Sequence, residues 1–280
     1  MALNVKKTGR LLFWLCSAAY LVIFLLFYVP NYVFEEIDYE LSGVGLDVYL
    51  ITRSALEQLV NMLCPLCCGA FLFLCAGKTG RALLGCLTFT APALVYSLPY
   101  CYLYALSFGY DSVRAALISL GLSLLGGAVV WLHITAIYFI CRWVGRRNAD
   151  KILRESEPGL YRLAKNPNRE SNVRARRDEL LRVEATESKI FDFDSPVIWG
   201  ILIASIAEFA VRVVVELVNT VTFMVSVNGL FVESEIITIV LTYLFMLLEL
   251  ALGYSACYGL KMHLTKKEKN EPLAEGEENA

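Results

Sequence analysis

Pro196-Val-Ile-Trp-Gly-Ile-Leu-Ile-Ala-Ser-Ile-Ala-Glu208-Phe-Ala-Val-Arg212-Val-Val-Val-Glu216-Leu-Val-Asn219 is an apolar run with polar groups on one side only: Glu208, Arg212 and Glu216 recur every fourth residue, and Asn219 follows. In an α-helix a four-residue step advances only about 40° round the axis, so these groups form one stripe on one face. The other faces are aliphatic, which suits a helix surrounded by hydrocarbon or packed protein. Arg53-Ser-Ala-Leu-Glu57-Gln-Leu-Val-Asn61 repeats the pattern earlier in the chain. Ionisable groups at membrane depth cost roughly 2.5–3.5 kcal/mol each on insertion scales, so they turn toward protein or water and pair with one another.

The rest of the chain extends this reading. Of 280 residues, 57% are hydrophobic, and mean hydropathy is +0.56, against about 45–50% apolar residues for an ordinary soluble chain. A hydrocarbon core of about 30 Å needs about 20 apolar residues as helix. Six segments meet that requirement, at 11–29, 48–76, 82–108, 113–141, 197–227 and 236–260. Strand-type alternation is absent, which argues against an outer-membrane barrel. The fold class expected is an all-α integral membrane protein with six transmembrane helices.

A net charge of −2 conceals a strong asymmetry. Of 25 Lys and Arg, 22 fall in the N-terminal segment, the 77–81 turn, the 142–190 loop and the tail from Lys261. The other three, Arg53, Arg114 and Arg212, lie within or at the edge of a span, and the remaining connections carry no basic residue. The positive-inside rule then places both termini and the 142–190 loop in the cytoplasm. The organisation expected is residues 1–141 with helices 1–4, a basic cytoplasmic loop over 142–190 between helices 4 and 5, residues 191–262 with helices 5 and 6, and a disordered acidic tail over 263–280. The first span reads as a retained anchor, since no small-x-small cleavage pattern follows it. The location expected is a plasma or inner cell membrane, multi-pass.

Several local signals refine the picture. Ser195 and Pro196 read as an N-cap followed by a first-turn proline. From Pro196 to Val227 a continuous helix would be about 48 Å long, so the fifth span either projects beyond the bilayer or breaks near its polar stripe. Pro92 and Pro99 in span 3 stand among Tyr96, Tyr100, Tyr102 and Tyr104; Tyr102 and Tyr104 suit an interfacial aromatic belt, and Tyr96 a cavity. Ser119, Ser123 and Gly127 form a small-residue packing face. Within the basic loop, two short helices are expected, around 149–156 and 171–187, the second with an apolar edge of Leu180, Leu181 and Val183.

The candidate site is the set of polar groups inside spans 2, 5 and 6: Arg53, Glu57, Asn61, Glu208, Arg212, Glu216, Asn219 and Glu249. Four acids face two arginines. Surplus carboxylates in a low-dielectric site either keep a proton or bind a cation, which is the setting of a proton- or cation-linked transporter or permease component. The alternative is a non-transporting scaffold or assembly factor whose charges clamp helices together. An enzyme is the least favoured class, because no nucleophile–base pair is visible and the chain has no Gly-rich phosphate loop, G-x-S-x-G or H-E-x-x-H. The resemblance between the two stripes raises the idea of an inverted repeat, but it needs a one-residue gap and has no support elsewhere. Cys64-Pro-Leu-Cys67-Cys68 reads as small apolar packing, and neither a metal nor a cofactor is expected. The partners expected are the lipid bilayer, anionic headgroups at the basic loop, a cytoplasmic protein or ATPase subunit docked there, and a second copy of the chain in a homo-oligomer; no nucleic-acid partner is expected.

Overall fold

Backbone N–H and C=O groups in hydrocarbon find partners only within a helix or a closed barrel, and among the described residues the long apolar segments are helical. The computed structural model describes residues 2–33, 44–75, 79–163, 170–181, 189–226 and 233–266. In order these are α1 (Ala2–Val33), α2 (Val44–Leu74), α3 (Thr79–Ser107), α4 (Ser112–Ser156), α5 (Pro158–Leu163), α6 (Glu170–Leu180), α7 (Pro196–Ser226) and α8 (Glu233–Lys266). There is no strand among the described residues.

Among the described residues five segments are long and apolar enough to cross a membrane: Val5–Leu26, Ser54–Leu74, Gly80–Ser107, Ser112–Ser156 and Ile239–Thr265. They leave large aliphatic side chains uncovered, such as Val113, Leu117 and Leu125 on α4 and Leu244, Leu247 and Leu248 on α8. A soluble protein would bury such a continuous apolar surface, so the helices mark a membrane protein. α7 is not among the five; it is 31 residues long and carries Glu208, Arg212 and Glu216. Hydroxyls inside the apolar helices donate to the carbonyl one turn back, as Thr90 does to Cys86 at 2.8 Å and Ser205 to Ile201 at 3.0 Å. That bond satisfies the hydroxyl where water is lacking.

Contacts divide the chain into two units, with boundaries inside α2 and α4. The α1/α3 unit comprises Ala2–Cys68 and Gly77–Ala136. Within it α1 packs on α3. The expected small-residue face of α4 lies against α3: the Ser119 hydroxyl donates to the Leu98 carbonyl at 2.7 Å, and a methyl group on Gly127 would overlap the Leu94 side chain. Gly109, at φ 81°, supplies the left-handed residue that ends α3. Asp111 then caps α4, accepting from the amides of Val113 at 3.1 Å and Arg114 at 2.9 Å.

The α7/α8 unit contains Gly69–Ala76 and Ile137–Ala280. Ser195 caps α7 through the Ile198 amide at 3.4 Å, with Pro196 as the first helical residue, as the sequence predicts. α7 then packs on α8. Of the two alternatives for this long segment, a break at the polar stripe is not what forms: α7 is continuous over Pro196–Ser226. Gly200 seats it against α4, where a Cβ would stand 2.8 Å from the Cys141 carbonyl oxygen.

The 142–190 region differs from expectation at its start. α4 does not stop at 141 but runs to Ser156, 45 residues in all, about 68 Å at 1.5 Å per residue, so the separate helix expected over 149–156 is the end of α4. No proline or glycine pair interrupts Cys141–Ser156, and so nothing ends the helix. α6 occupies part of the second expected helix; residues 182–188, including Val183, lie outside the described residues. α6 is tied to α4 by Arg177 to Asp150 at 2.7 Å, and Arg176 reaches Glu157 at 3.1 Å. At the C-terminal end α8 continues to Lys266, four residues into the expected tail, and 267–280 lie outside the described residues, as do 34–43 between α1 and α2.

Candidate functional site

The eight polar residues expected at one site fall into two groupings, one in each unit. In the α7/α8 unit, Glu208 and Arg212 are one turn apart on α7 and face α8, where Glu249 sits near the middle of the helix. Arg212 Nη1 donates to Glu249 Oε2 at 3.3 Å, and its Nε lies 3.7 Å from Glu208 Oε1. Glu249 is wholly buried at 0% exposure, and Glu208 nearly so. The second Glu249 oxygen, Oε1, is buried with no hydrogen-bond partner. One guanidinium therefore serves two carboxylates, and one carboxylate oxygen stays open to a proton or a cation.

Glu216 and Asn219 do not join this cluster. Glu216 is half-buried and makes no ion pair among those described, and Asn219 is exposed. Glu216 stands at the same four-residue distance from Arg212 as Glu208, on the other side. The guanidinium extends toward Glu208 because Glu249 lies there and adds a second, interhelical, contact.

Glu57 and Asn61 belong to the α1/α3 unit, where they line a cavity of about 380 Å³. Tyr20 and Phe24 of α1 and Tyr96 and Tyr100 of α3 supply its aromatic walls, and Leu122, Gly126 and Val130 of α4 complete it. Tyr96 is thus the cavity residue that its place between the two prolines suggests. Tyr20 and Phe24 were not legible as site residues, since nothing in α1 marks them apart from other aromatic positions on a span. Tyr104 stacks on Tyr100 at 6.2 Å and meets Phe108 edge-on at 4.8 Å, a continuous aromatic ladder toward the end of α3. Arg53 lies on α2 one turn before Glu57, and its side chain is outside the described residues.

Beside the cavity, the Cys16 and Cys68 sulfurs approach to 3.7 Å in the buried interior, and all nine cysteines are free thiols. No group of three or more His, Cys, Asp or Glu side chains among the described residues could hold a metal ion.

Part of the positive charge in the 142–190 region is matched internally. Besides its bond to Glu157, Arg176 donates to Glu179 at 2.7 Å, and these two carboxylates hold its guanidinium above the ordinary arginine pKa. Arg147 lies over the Trp143 ring at 4.2 Å and Arg154 over Tyr161 at 4.6 Å. Leu181, one of the three residues of the expected apolar docking edge, is buried instead against Gly145 of α4.

No family model, curated protein or solved structure matches this chain.

Proposed function

We propose that the protein is a six-span transporter or permease component, with cytoplasmic termini, in which the Glu208–Arg212–Glu249 cluster is a proton- or cation-linked site. The observation that carries this reading is Glu249: wholly buried, bonded to Arg212 through one oxygen and unsatisfied at the other. The groups facing it are Arg212 and Glu208, both from α7. A purely structural pair would need one carboxylate for one guanidinium; the additional acid leaves a titratable charge whose state can change as cargo moves. α7 supplies the fifth of the six spans in this topology, its charges tolerated because they face α8.

Trp143, exposed and stacked under Arg147, supports a cytoplasmic membrane boundary at about this level of α4, with the nearby arginines against anionic headgroups. A cytoplasmic ATPase or other partner, or a second copy of the chain, remains compatible with this reading; burial of Leu181 weighs against that residue as the docking point.

The second reading, a scaffold, is favoured by one specific observation: Arg212 bridges α7 to α8, as a clamp would. One substitution separates the two. Proteoliposomes carrying the wild-type protein, challenged with panels of small-molecule cargo on a solid-supported membrane, should give currents that vary with pH. Glu249→Gln, which keeps the size and one hydrogen bond, should yield protein that elutes as wild type and has lost the pH dependence. Loss of folded protein in that variant, with no current in either, would favour the clamp.

A further inference from the structure

Cys16 on α1 and Cys68 on α2 meet inside the α1/α3 unit, their sulfurs 3.7 Å apart and both side chains buried. Cys64, one turn before Cys68 on α2, also neighbours the Cys16 sulfur. Packing accounts for one buried thiol, but two thiols in contact from different helices also make a dithiol able to close to a disulfide. Cys16 lies one turn before Tyr20 on α1, and Cys64 three residues after Asn61 on α2; Tyr20 and Asn61 both line the cavity of about 380 Å³. The sulfurs therefore form the next layer on the helix faces that wall the cavity, about 6 Å farther along α1. At that junction the Tyr20 hydroxyl is buried with no hydrogen-bond partner, although a buried phenol normally has one. Its O–H can donate to a carbonyl oxygen. Cys16 and Cys68 lie within apolar spans, where entry of a charged, water-borne oxidant is costly, so their reaction partner must dissolve in hydrocarbon. A quinone meets each requirement: it is uncharged and lipid-soluble, presents carbonyl acceptors, and takes up two electrons with two protons. The cavity is within the size range of small-molecule sites, roughly 300–1,000 Å³.

We propose that Cys16 and Cys68 are a redox-active dithiol that reduces a lipid-soluble quinone bound in the adjoining cavity. The Tyr20 hydroxyl donates to one carbonyl oxygen of the quinone. Two S–H bonds break and one S–S bond forms between Cys16 and Cys68; the two electrons pass to the quinone, and the two protons end on its oxygens. Two thiols and one quinone become one disulfide and one hydroquinone. This couple is distinct from the Glu208–Arg212–Glu249 cluster, calls on no charge at Glu57, and stands whether or not the protein is a transporter.

Decylubiquinone is a suitable probe, because its fully substituted ring leaves no position for simple thiol addition. The full chain, reduced and held in lipid nanodiscs under argon, should convert it to the hydroquinone with loss of two thiols per quinone, read by ultraviolet absorbance and thiol titration. Non-reducing digestion and mass spectrometry should then find the Cys16 and Cys68 peptides joined. Cys16→Ser and Cys68→Ser should each abolish hydroquinone formation, whereas Cys86→Ser, a buried thiol on α3, should react as wild type. Tyr20→Phe should still form the disulfide but need about fivefold more quinone for half-maximal rate, the loss of one hydrogen bond. Absence of hydroquinone with the wild-type chain would overturn the proposal, as would undiminished reaction in Cys16→Ser or linkage of Cys16 to any cysteine other than Cys68. Should the serine variants fail to fold, the linked peptide and Tyr20→Phe decide: no Cys16–Cys68 linkage, or an unchanged quinone dependence in Tyr20→Phe, would overturn it.

Discussion

Arg212 faces Glu208 one turn earlier on its own helix and Glu249 thirty-seven residues away on the next. Taking the guanidinium away leaves two carboxylates in an apolar interior with no cation between them. Breaking a buried pair in this way costs about 3–5 kcal/mol, whereas removing both partners together costs far less. Arg212→Gln should therefore lower the thermal midpoint of the purified protein sharply, and the double variant Arg212→Gln/Glu249→Gln should recover part of the loss. A thermal denaturation cycle over the four proteins measures the coupling directly. Additive losses would mean that the 3.3 Å contact contributes nothing to stability. Glu216, equally spaced from Arg212 along the sequence, serves as the comparison: its replacement by Gln should shift the midpoint little, since it makes no described ion pair.

At the scale of the helix, two glycines differ in kind: one permits a close approach and the other faces open space. Gly200 places α7 against α4, where a Cβ would meet the Cys141 carbonyl oxygen at 2.8 Å and the Phe73 ring at 3.3 Å. A backbone carbonyl cannot rotate out of the way, so Gly200→Ala must displace α7 as a whole. Overpacking of this sort costs about 1–3 kcal/mol. Gly259 on α8 has nothing within 4 Å of its added Cβ. Gly259→Ala should be neutral or stabilising by up to about 1 kcal/mol, because alanine loses less backbone entropy in a helix. Melting curves of the two variants should move in opposite directions; a fall of similar size in both would remove the argument from close packing. Ser195 and Pro196 explain where α7 begins, and both were readable in the sequence because capping is a local matter.

For the whole molecule, the distribution of basic residues makes the strongest claim. With 22 of 25 Lys and Arg in four segments, the N-terminus, the 142–190 region and the C-terminus should all lie on the cytoplasmic side. Single cysteines introduced at exposed positions of these segments, in a variant lacking native cysteines, should be labelled by an impermeant maleimide only after the membrane is opened. Labelling of the 142–190 region from outside would refute the six-span arrangement. Helical class, membrane insertion and the faces carrying polar stripes follow from the sequence by itself, because apolar length and a 3.6-residue period are local properties. The length of α4 was missed because the charged stretch after Cys141 departs from the apolar pattern while keeping good helix formers and no breaker. Which acids meet Arg212, and that Glu57 shares a cavity with Tyr20, Phe24, Tyr96 and Tyr100, were decided only by the tertiary structure. A stripe can be placed on a face from spacing, but its partners depend on how far each helix is rotated and how closely it approaches its neighbour. Those quantities are set by contacts between residues far apart in the chain, such as Gly200 on Cys141 and Gly127 on Leu94.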